Sequence, residues 1–410
     1  MWTRPWKMVE GFAVGAGLVL VGLLLQFSTG PIAWNNLSFP VNFIILAGYI
    51  LAMSLVYAFR NKVYSFKFLS SYASAIPALA YAVALTAIMG LTKQVPDGRP
   101  ASDPLGLSRM LSFWPFVLIY IWVSAIVAQA TIKKALHFKW RDVPFMLNHA
   151  GLLIVMLCAT LGNADMQRLK MTIHKSSPEW RATNDQGKIV ELPLAIQLKA
   201  FKIYEYPPKL MLVNGKTGDP IPKENPTTLI VDSTFKTADL QGWTIKLNKY
   251  LDEAAPLMTR DTTNYLPWYS SGAMTAINIT ATSPNGKVKR TGWVTCGSYH
   301  FPYQVLSLDG KISIAMPERE PQRYLSSVEL MTQAGLHAFA DIEVNRPLSV
   351  EGWKIYQLSY DTSMGRWSET SVLELVRDPW LPFVYVGLGM MMLGAVFMFL
   401  SLQRRKETKE

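Results

Sequence analysis

One imidazole in this chain sits where ionisable groups are uncommon. His149 falls in the apolar run 142–162, DVPFMLNHAGLLIVMLCATLG, after Asn148 and before the small pair Ala150 and Gly151. Inside a bilayer-spanning segment an ionisable side chain marks a site by default: a haem or metal ligand, or a proton relay. Neutral imidazole is a common axial ligand of haem iron. Ala150 and Gly151 leave room beside the ring for a flat ligand or for a close-packed helix. The plainer reading is an interfacial histidine bonded to a neighbouring helix or to lipid headgroups. The segment alone leaves both readings open.

The other reactive side chains are scattered. His137 lies in the loop LHFKWRD and receives no role. His174, His300 and His337 lie beyond residue 163 with no HxH or HxxxH spacing. Each is either a further candidate haem ligand or an ordinary surface or core-edge residue. Cys158 shares the apolar run with His149, and Cys296 is the one cysteine beyond it. No CxxC pair is present for thiol exchange, and no CxxCH motif of a c-type cytochrome. Cys296 reads as a small apolar core residue. No P-loop, zinc spacing, nucleophile elbow or dinucleotide fingerprint stands out, and GSYHF around His300 is not GxSxG. The tryptophans Trp180, Trp243, Trp268, Trp293, Trp353 and Trp367 read as core of a soluble domain. The run GMMMLGAVFMF at 389–399 reads as packing or lipid-facing surface.

The elements that must hold these residues follow from where charge is missing. Six stretches are long and apolar enough to span a bilayer at about 20 residues each: 9–28, 40–59, 73–91, 113–131, 145–162 and 381–402. The third is rich in Ala and carries Pro77. The first is too long for a cleaved signal peptide and lacks a small-x-small cleavage site. Residues 164–379 hold 24 Lys+Arg against 23 Asp+Glu, while the remainder holds 16 and 6, so the membrane part carries +10 of the net +11. A nucleic-acid surface would need basic clusters on a soluble face, and that pattern is missing. Arg4 and Lys7; Arg60, Lys62 and Lys67; Lys133, Lys134, Lys139 and Arg141; and Arg404, Arg405 and Lys406 all fall on one side of a six-span fold. The positive-inside rule makes that side cytoplasmic. Both termini are then cytoplasmic, and the outer segment 163–378 is extracytoplasmic. The loop 60–68 is basic and aromatic, an inner-leaflet interfacial segment.

Beyond Gly162 the apolar runs shorten to strand length and turn residues punctuate them. Asn214-Gly215, Asn285-Gly286 and Asp309-Gly310 supply the positive φ of tight hairpins. Alternation is visible in TAINITAT and WKIYQLSYD. The expected fold is thus an α-helical polytopic membrane protein of about six spans, with a large β-rich extracytoplasmic domain inserted before the last helix. That domain is expected as an antiparallel sandwich or a pair of packed sheets. The expected divisions are 1–163 with five helices, 164–379 β-rich, 380–402 the last helix, and 403–410 a cytoplasmic tail.

The end of the chain, NRPLSVEGWKIYQLSYD followed by MGRWSETSVLELVRDPWLPFVYVGLGMMMLGAVFMF, resembles the end of the ResB family, also called CcsB. There a β-rich domain returns to the membrane through a strand pair and a final helix. LLLQFSTGPIAW, FPVNFIILAGYI, LSFWPF and RDVPFMLNHAGL resemble the ResB portion of proteins in which ResB is fused to its partner CcsA. The resemblance implies cytochrome c maturation by system II: moving haem b across the membrane with a CcsA-like protein and presenting it to the CxxCH motif of apocytochrome c. It implies a non-catalytic or co-catalytic role beside the haem-attaching subunit. It also implies one haem ligand from a membrane histidine, for which His149 is the candidate, near the cytoplasmic end of its span. The tryptophan-rich outer haem motif of CcsA is absent here, so a partner is required. Thiol-reducing proteins and membrane lipids are further expected partners; nucleic acid is not. Two other readings stand beside this one. In the first the chain is a membrane anchor that binds apocytochrome or CcsA without binding haem. In the second it is a transporter of another small molecule, although its spans lack the buried carboxylates such proteins use.

Overall fold

The structure, a computed structural model, describes residues 2–95, 99–260 and 262–407, with backbone alone for 401–407. The turn expected at 96–98, the side chains of Arg404, Arg405 and Lys406, and the tail beyond residue 407 lie outside the described residues.

Seven α-helices form among the described residues: α1 (Met8–Thr29), α2 (Val41–Phe59), α3 (Tyr64–Phe68), α4 (Tyr72–Leu91), α5 (Trp114–Leu136), α6 (Val143–Gly162) and α7 (Leu381–Glu407). All but the short α3 are long and apolar enough to cross a membrane, which gives six such helices among the described residues and fits a multi-pass membrane protein. The 19 residues of α2 reach roughly 28 Å, about the thickness of bilayer hydrocarbon. Large apolar residues stay exposed along the outer faces, including Leu24 on α1, Ile44 on α2 and Phe399 on α7. Such a continuous apolar surface belongs in lipid.

Two units divide the chain: Met1–Gln167 with Arg377–Glu410, and Arg168–Val376. In the first, small residues let the helices close on one another. A Cβ on Gly11 would meet the Ala73 carbonyl oxygen at 2.1 Å and Pro77 Cγ at 2.7 Å. Pro77 therefore sits inside α4 without ending it, at the α1 contact. A Cβ on Gly22 would meet Pro115 Cα at 2.6 Å, which brings α1 onto the first turn of α5. Ile119 and Trp122 of α5 are buried with Ala78 and Leu85 of α4. Gln129, fully buried on α5, donates through Nε2 to the Met53 carbonyl oxygen of α2 at 2.9 Å.

The second unit is built largely of antiparallel strand pairs. An eight-stranded sheet runs in the order His337–Glu343, Pro321–Thr332, Ile189–Glu205, Glu179–Asn184, Gln167–His174, Thr370–Arg377, Trp353–Tyr360, Leu348–Val350. Its first strand in sequence, Gln167–His174, lies beside its last, Thr370–Arg377. The chain therefore enters and leaves this unit at neighbouring positions, as two membrane tethers demand. Leu169, Met171 and Ile173 alternate with exposed residues and face Leu373 and Leu375 in one apolar core. A five-stranded sheet built on Trp243–Met258 and Met274–Thr282 shares a second core with a four-stranded sheet built on Lys209–Asn214 and Ile312–Ala315. The fold class is as expected, but there are three sheets, not two. The middle strands, from Lys209–Asn214 to Ile312–Ala315, are distributed over two sheets that share one core, and the strands before and after them form the eight-stranded sheet with a core of its own.

The chain turns back at all three expected hairpins. Met274–Thr282 pairs with Lys289–Thr295 around Gly286 at φ +70°. Leu306–Ser307 pairs with Ile312–Ala315 around Gly310 at φ +82°. At Asn214-Gly215 the positive φ, +75°, is instead at Gly218. Val213 still bridges Pro220 antiparallel, and Asn214 N donates to the Asp219 carbonyl oxygen at 2.8 Å, so the chain turns back there as expected; Lys209–Asn214 also pairs with Ile312–Ala315 and Thr228–Ile230.

Candidate functional site

Helix α6 starts from Asp142 with Pro144 in its first turn, where a missing N–H costs nothing because that donor has no intrahelical partner. The next turn carries the candidate. His149 is half-buried, and its Nδ1 lies 3.1 Å from the Phe145 carbonyl oxygen, one turn earlier. A carbonyl oxygen can only accept, so Nδ1 must carry the proton. Nε2 then keeps its lone pair, and no described hydrogen bond uses it. A backbone carbonyl fixing one ring nitrogen is how iron- and zinc-binding histidines are commonly oriented. The Phe145 ring adds a second constraint: it stacks on the imidazole with centroids 3.7 Å apart and planes 16° from parallel.

The small residues after His149 serve the helix pair. A Cβ on Gly151 would meet the Gly387 carbonyl oxygen at 2.6 Å, and one on Gly387 would meet the Gly151 carbonyl oxygen at 2.7 Å. Gly151 and Gly387 thus let α6 and α7 touch backbone to backbone. Asn148 donates to the Pro144 carbonyl oxygen at 2.8 Å and packs on Gly394, whose Cβ would meet its Nδ2 at 2.6 Å. Of the two uses open to Gly151, the structure realises the close-packed helix. On the α5 side, Tyr120 donates to the Met156 carbonyl oxygen at 3.0 Å, and Thr160 donates to the Tyr120 hydroxyl at 3.1 Å. His149 is therefore held on a helix clamped on both sides.

The far end of this helix pair is tied by a carboxylate that sequence reading does not pick out. Asp165 accepts from Phe39 N, from Asn42 Nδ2 and from Trp380 Nε1, each at 2.7 Å. Burial alone would raise the Asp165 carboxyl. The three donors outweigh it and hold the carboxyl below the ordinary range. Gly162 lies under the Trp380 side chain, with a Cβ there 2.4 Å from Trp380 Cβ. The only sequence signal for this clasp is the pairing of Asp165 with the DPW entry to α7.

The three histidines of the second unit do not converge, and the described residues contain no group of three or more His, Cys, Asp or Glu placed to hold a metal ion. His174 is exposed at the end of its strand. His337 meets the Glu329 carboxylate, which Lys199 also holds. His300 is exposed, edge-on to Phe301 at 4.8 Å. Cys296 packs against both apolar clusters of the smaller sheets, as its expected core role requires. Burial pushes its thiol above the ordinary range, away from the thiolate that exchange chemistry needs.

A cavity of about 390 Å³ beside Cys296 is lined by Glu205, Arg319, Arg366 and Trp367. Its arginines are already engaged. Arg319 meets Asp252 Oδ1 at 2.7 Å and the Tyr206 carbonyl oxygen at 2.9 Å, and Arg366 meets the Ala273 carbonyl oxygen at 3.2 Å. This network joins the long strand Ile189–Glu205 to the five-stranded sheet, and its first reading is structural.

A family model described as the ResB-like family matches residues 139–369, more than half of the chain. The match begins just before α6, takes in His149, and runs through the β-rich unit. No curated protein matches the chain.

Proposed function

This chain belongs to the ResB-like family, with a role in cytochrome c biogenesis, and from that premise we propose that it is the haem-handling subunit of a cytochrome c synthase. It takes haem b as cargo, moves it across a bacterial inner membrane together with a CcsA-like protein, and presents it for attachment to the CxxCH motif of apocytochrome c. His149 supplies one axial ligand to the iron, and a histidine of the partner supplies the other. The observation that carries this reading is the geometry of the imidazole. Its Nδ1 is bound to the Phe145 carbonyl oxygen at 3.1 Å and its face is stacked on Phe145. Together these leave Nε2 as the available ligand on a rigid helix. The iron is the electrophile the cargo supplies. What the chain's own residues do is fix the tautomer, fix the ring plane and, through Gly151 and Gly387, keep α6 from shifting against α7.

The positive-inside distribution supports an orientation with both termini in the cytoplasm and residues 168–376 outside. In that orientation His149 lies near the entry side. Deleting the gene and staining membrane proteins for covalent haem tests the function as a whole. The reading expects loss of all c-type cytochromes while b-type cytochromes persist, with restoration by the intact gene. Persistence of c-type cytochromes in the deletion strain would contradict it. Loss of both types would indicate a wider defect in haem supply and would also count against a c-specific role.

A further inference from the structure

A second site lies at the C-terminal end of α5, beside the start of α6. Tyr57 and Arg60 from the end of α2, Lys133, Lys134 and His137 from the end of α5, and Lys139, Arg141 and Asp142 from the linker surround a cavity of about 340 Å³. Five cationic side chains face one carboxylate there, and that carboxylate, Asp142, is already held by Lys134 at 2.9 Å. The Arg60 guanidinium lies 3.6 Å above the Tyr57 ring. The buried Tyr57 hydroxyl has no hydrogen-bond partner among the described residues. Charges of one sign gathered around a hollow repel one another, and an oxyanion relieves that repulsion.

The linker itself says which oxyanion. From Leu136 to Arg141 the chain alternates. Leu136, Phe138 and Trp140 are 66, 49 and 86% exposed, while His137, Lys139 and Arg141 line the cavity. One edge of the segment is apolar and aromatic at the end of a membrane-spanning helix, which is the composition that settles among lipid chains at the headgroup level. The other edge is basic. A soluble anion would need only the second edge. A phospholipid uses both, with its phosphate in the cavity and its acyl chains against Leu136, Phe138 and Trp140. We propose that this cavity is a binding site for the phosphate headgroup of an anionic membrane phospholipid, seated beside the α5–α6 turn.

The test uses the full chain purified in detergent. Phosphatidylglycerol, phosphatidylcholine and inorganic phosphate are added separately, with bound lipid counted by native mass spectrometry and the melting temperature recorded. Phosphatidylglycerol is expected to be retained and to raise the melting temperature, and phosphatidylcholine and inorganic phosphate to do neither. The triple variant Lys133→Gln, Lys139→Gln, Arg141→Gln should bind phosphatidylglycerol more weakly by on the order of a hundredfold, from three lost surface attractions. Its melting temperature without lipid should be no lower than that of the wild type, since the lost charges repel one another. The single variant Arg141→Gln, less perturbing to the fold, should lose roughly fivefold. Lys62→Gln with Lys67→Gln removes nearby charge outside the cavity and should bind as the wild type does. Equal binding of phosphatidylglycerol by the triple variant overturns the site. Equal stabilisation by inorganic phosphate overturns the lipid, and equal retention of phosphatidylcholine overturns the requirement for charge.

Discussion

Trp380 Nε1 donates to Asp165 Oδ2 at 2.7 Å, linking residues 215 positions apart in the chain. The same oxygen accepts from Asn42 Nδ2, also at 2.7 Å. One carboxylate thus joins the start of α2, the end of α6 and the entry to α7. Asp165→Ala leaves a buried amide and an indole N–H without an acceptor, at about 1–3 kcal/mol for each orphaned donor. The purified variant should melt several degrees below the wild type. An unchanged melting temperature would show that the clasp is dispensable.

The same carboxylate sets a pH dependence. Its folded-state pKa lies below the ordinary value of 3.8 because the donors outweigh burial. A depressed carboxyl stabilises the fold fully above the unfolded value, and that stability is lost as pH falls through the folded value. Wild-type stability should therefore decline below about pH 4 more steeply than that of Asp165→Asn, which has no charge to lose. Parallel curves for the two proteins would remove Asp165 as the source.

The α6–α7 contact offers a comparison within a single helix. A Cβ on Gly387 would meet the Gly151 carbonyl oxygen at 2.7 Å and Val155 Cγ2 at 2.8 Å, whereas one on Gly389 would meet nothing within 4 Å. Gly387→Ala should destabilise by about 1–3 kcal/mol from overpacking, and Gly389→Ala by less than about 0.5 kcal/mol. Thermal unfolding of the two variants decides it; equal effects would mean the helices adjust without cost.

The cysteines should be expendable. Cys296 is packed between apolar clusters with its thiol held protonated by burial. Replacing Cys158 and Cys296 with alanine should leave cytochrome c maturation intact, apart from packing losses of about 1–3 kcal/mol at a buried site. A stable Cys296→Ala protein that matures no cytochrome would reveal a thiol function.

Orientation is checked with a reporter active only outside the cytoplasm. Fused after Lys170 it should be active, and fused after Lys139 it should be silent. The opposite pattern reverses the sidedness and removes the entry-side argument for His149.

The spans were readable from composition because a bilayer leaves no alternative for 20 apolar residues. The Asn285-Gly286 hairpin was readable because its turn chemistry is local. The placement of Gln167–His174 beside Thr370–Arg377 was not, since pairing across some 200 residues is set by the packed cores and not by any short pattern. Within the candidate site, the imidazole bonded and stacked on Phe145 one helical turn earlier is seen only once α6 is formed. The Gly151–Gly387 contact could not be foreseen, because nothing in either helix names its neighbour. The basic linker was visible only as topological charge; its alternation acquires meaning once Lys139 and Arg141 are seen to line a cavity with Arg60.

The most direct measurement is the visible absorption spectrum of the full chain purified with the proposed CcsA-like partner, wild type against His149→Ala. The account predicts that the variant inserts normally but carries much less haem, with an altered Soret band and little or no cytochrome c maturation. Added imidazole should partly restore both by filling the vacant ligand position. A stable His149→Ala complex with wild-type haem content and an unchanged spectrum would contradict the account, and the search for the ligand would then move to His174, His300 and His337.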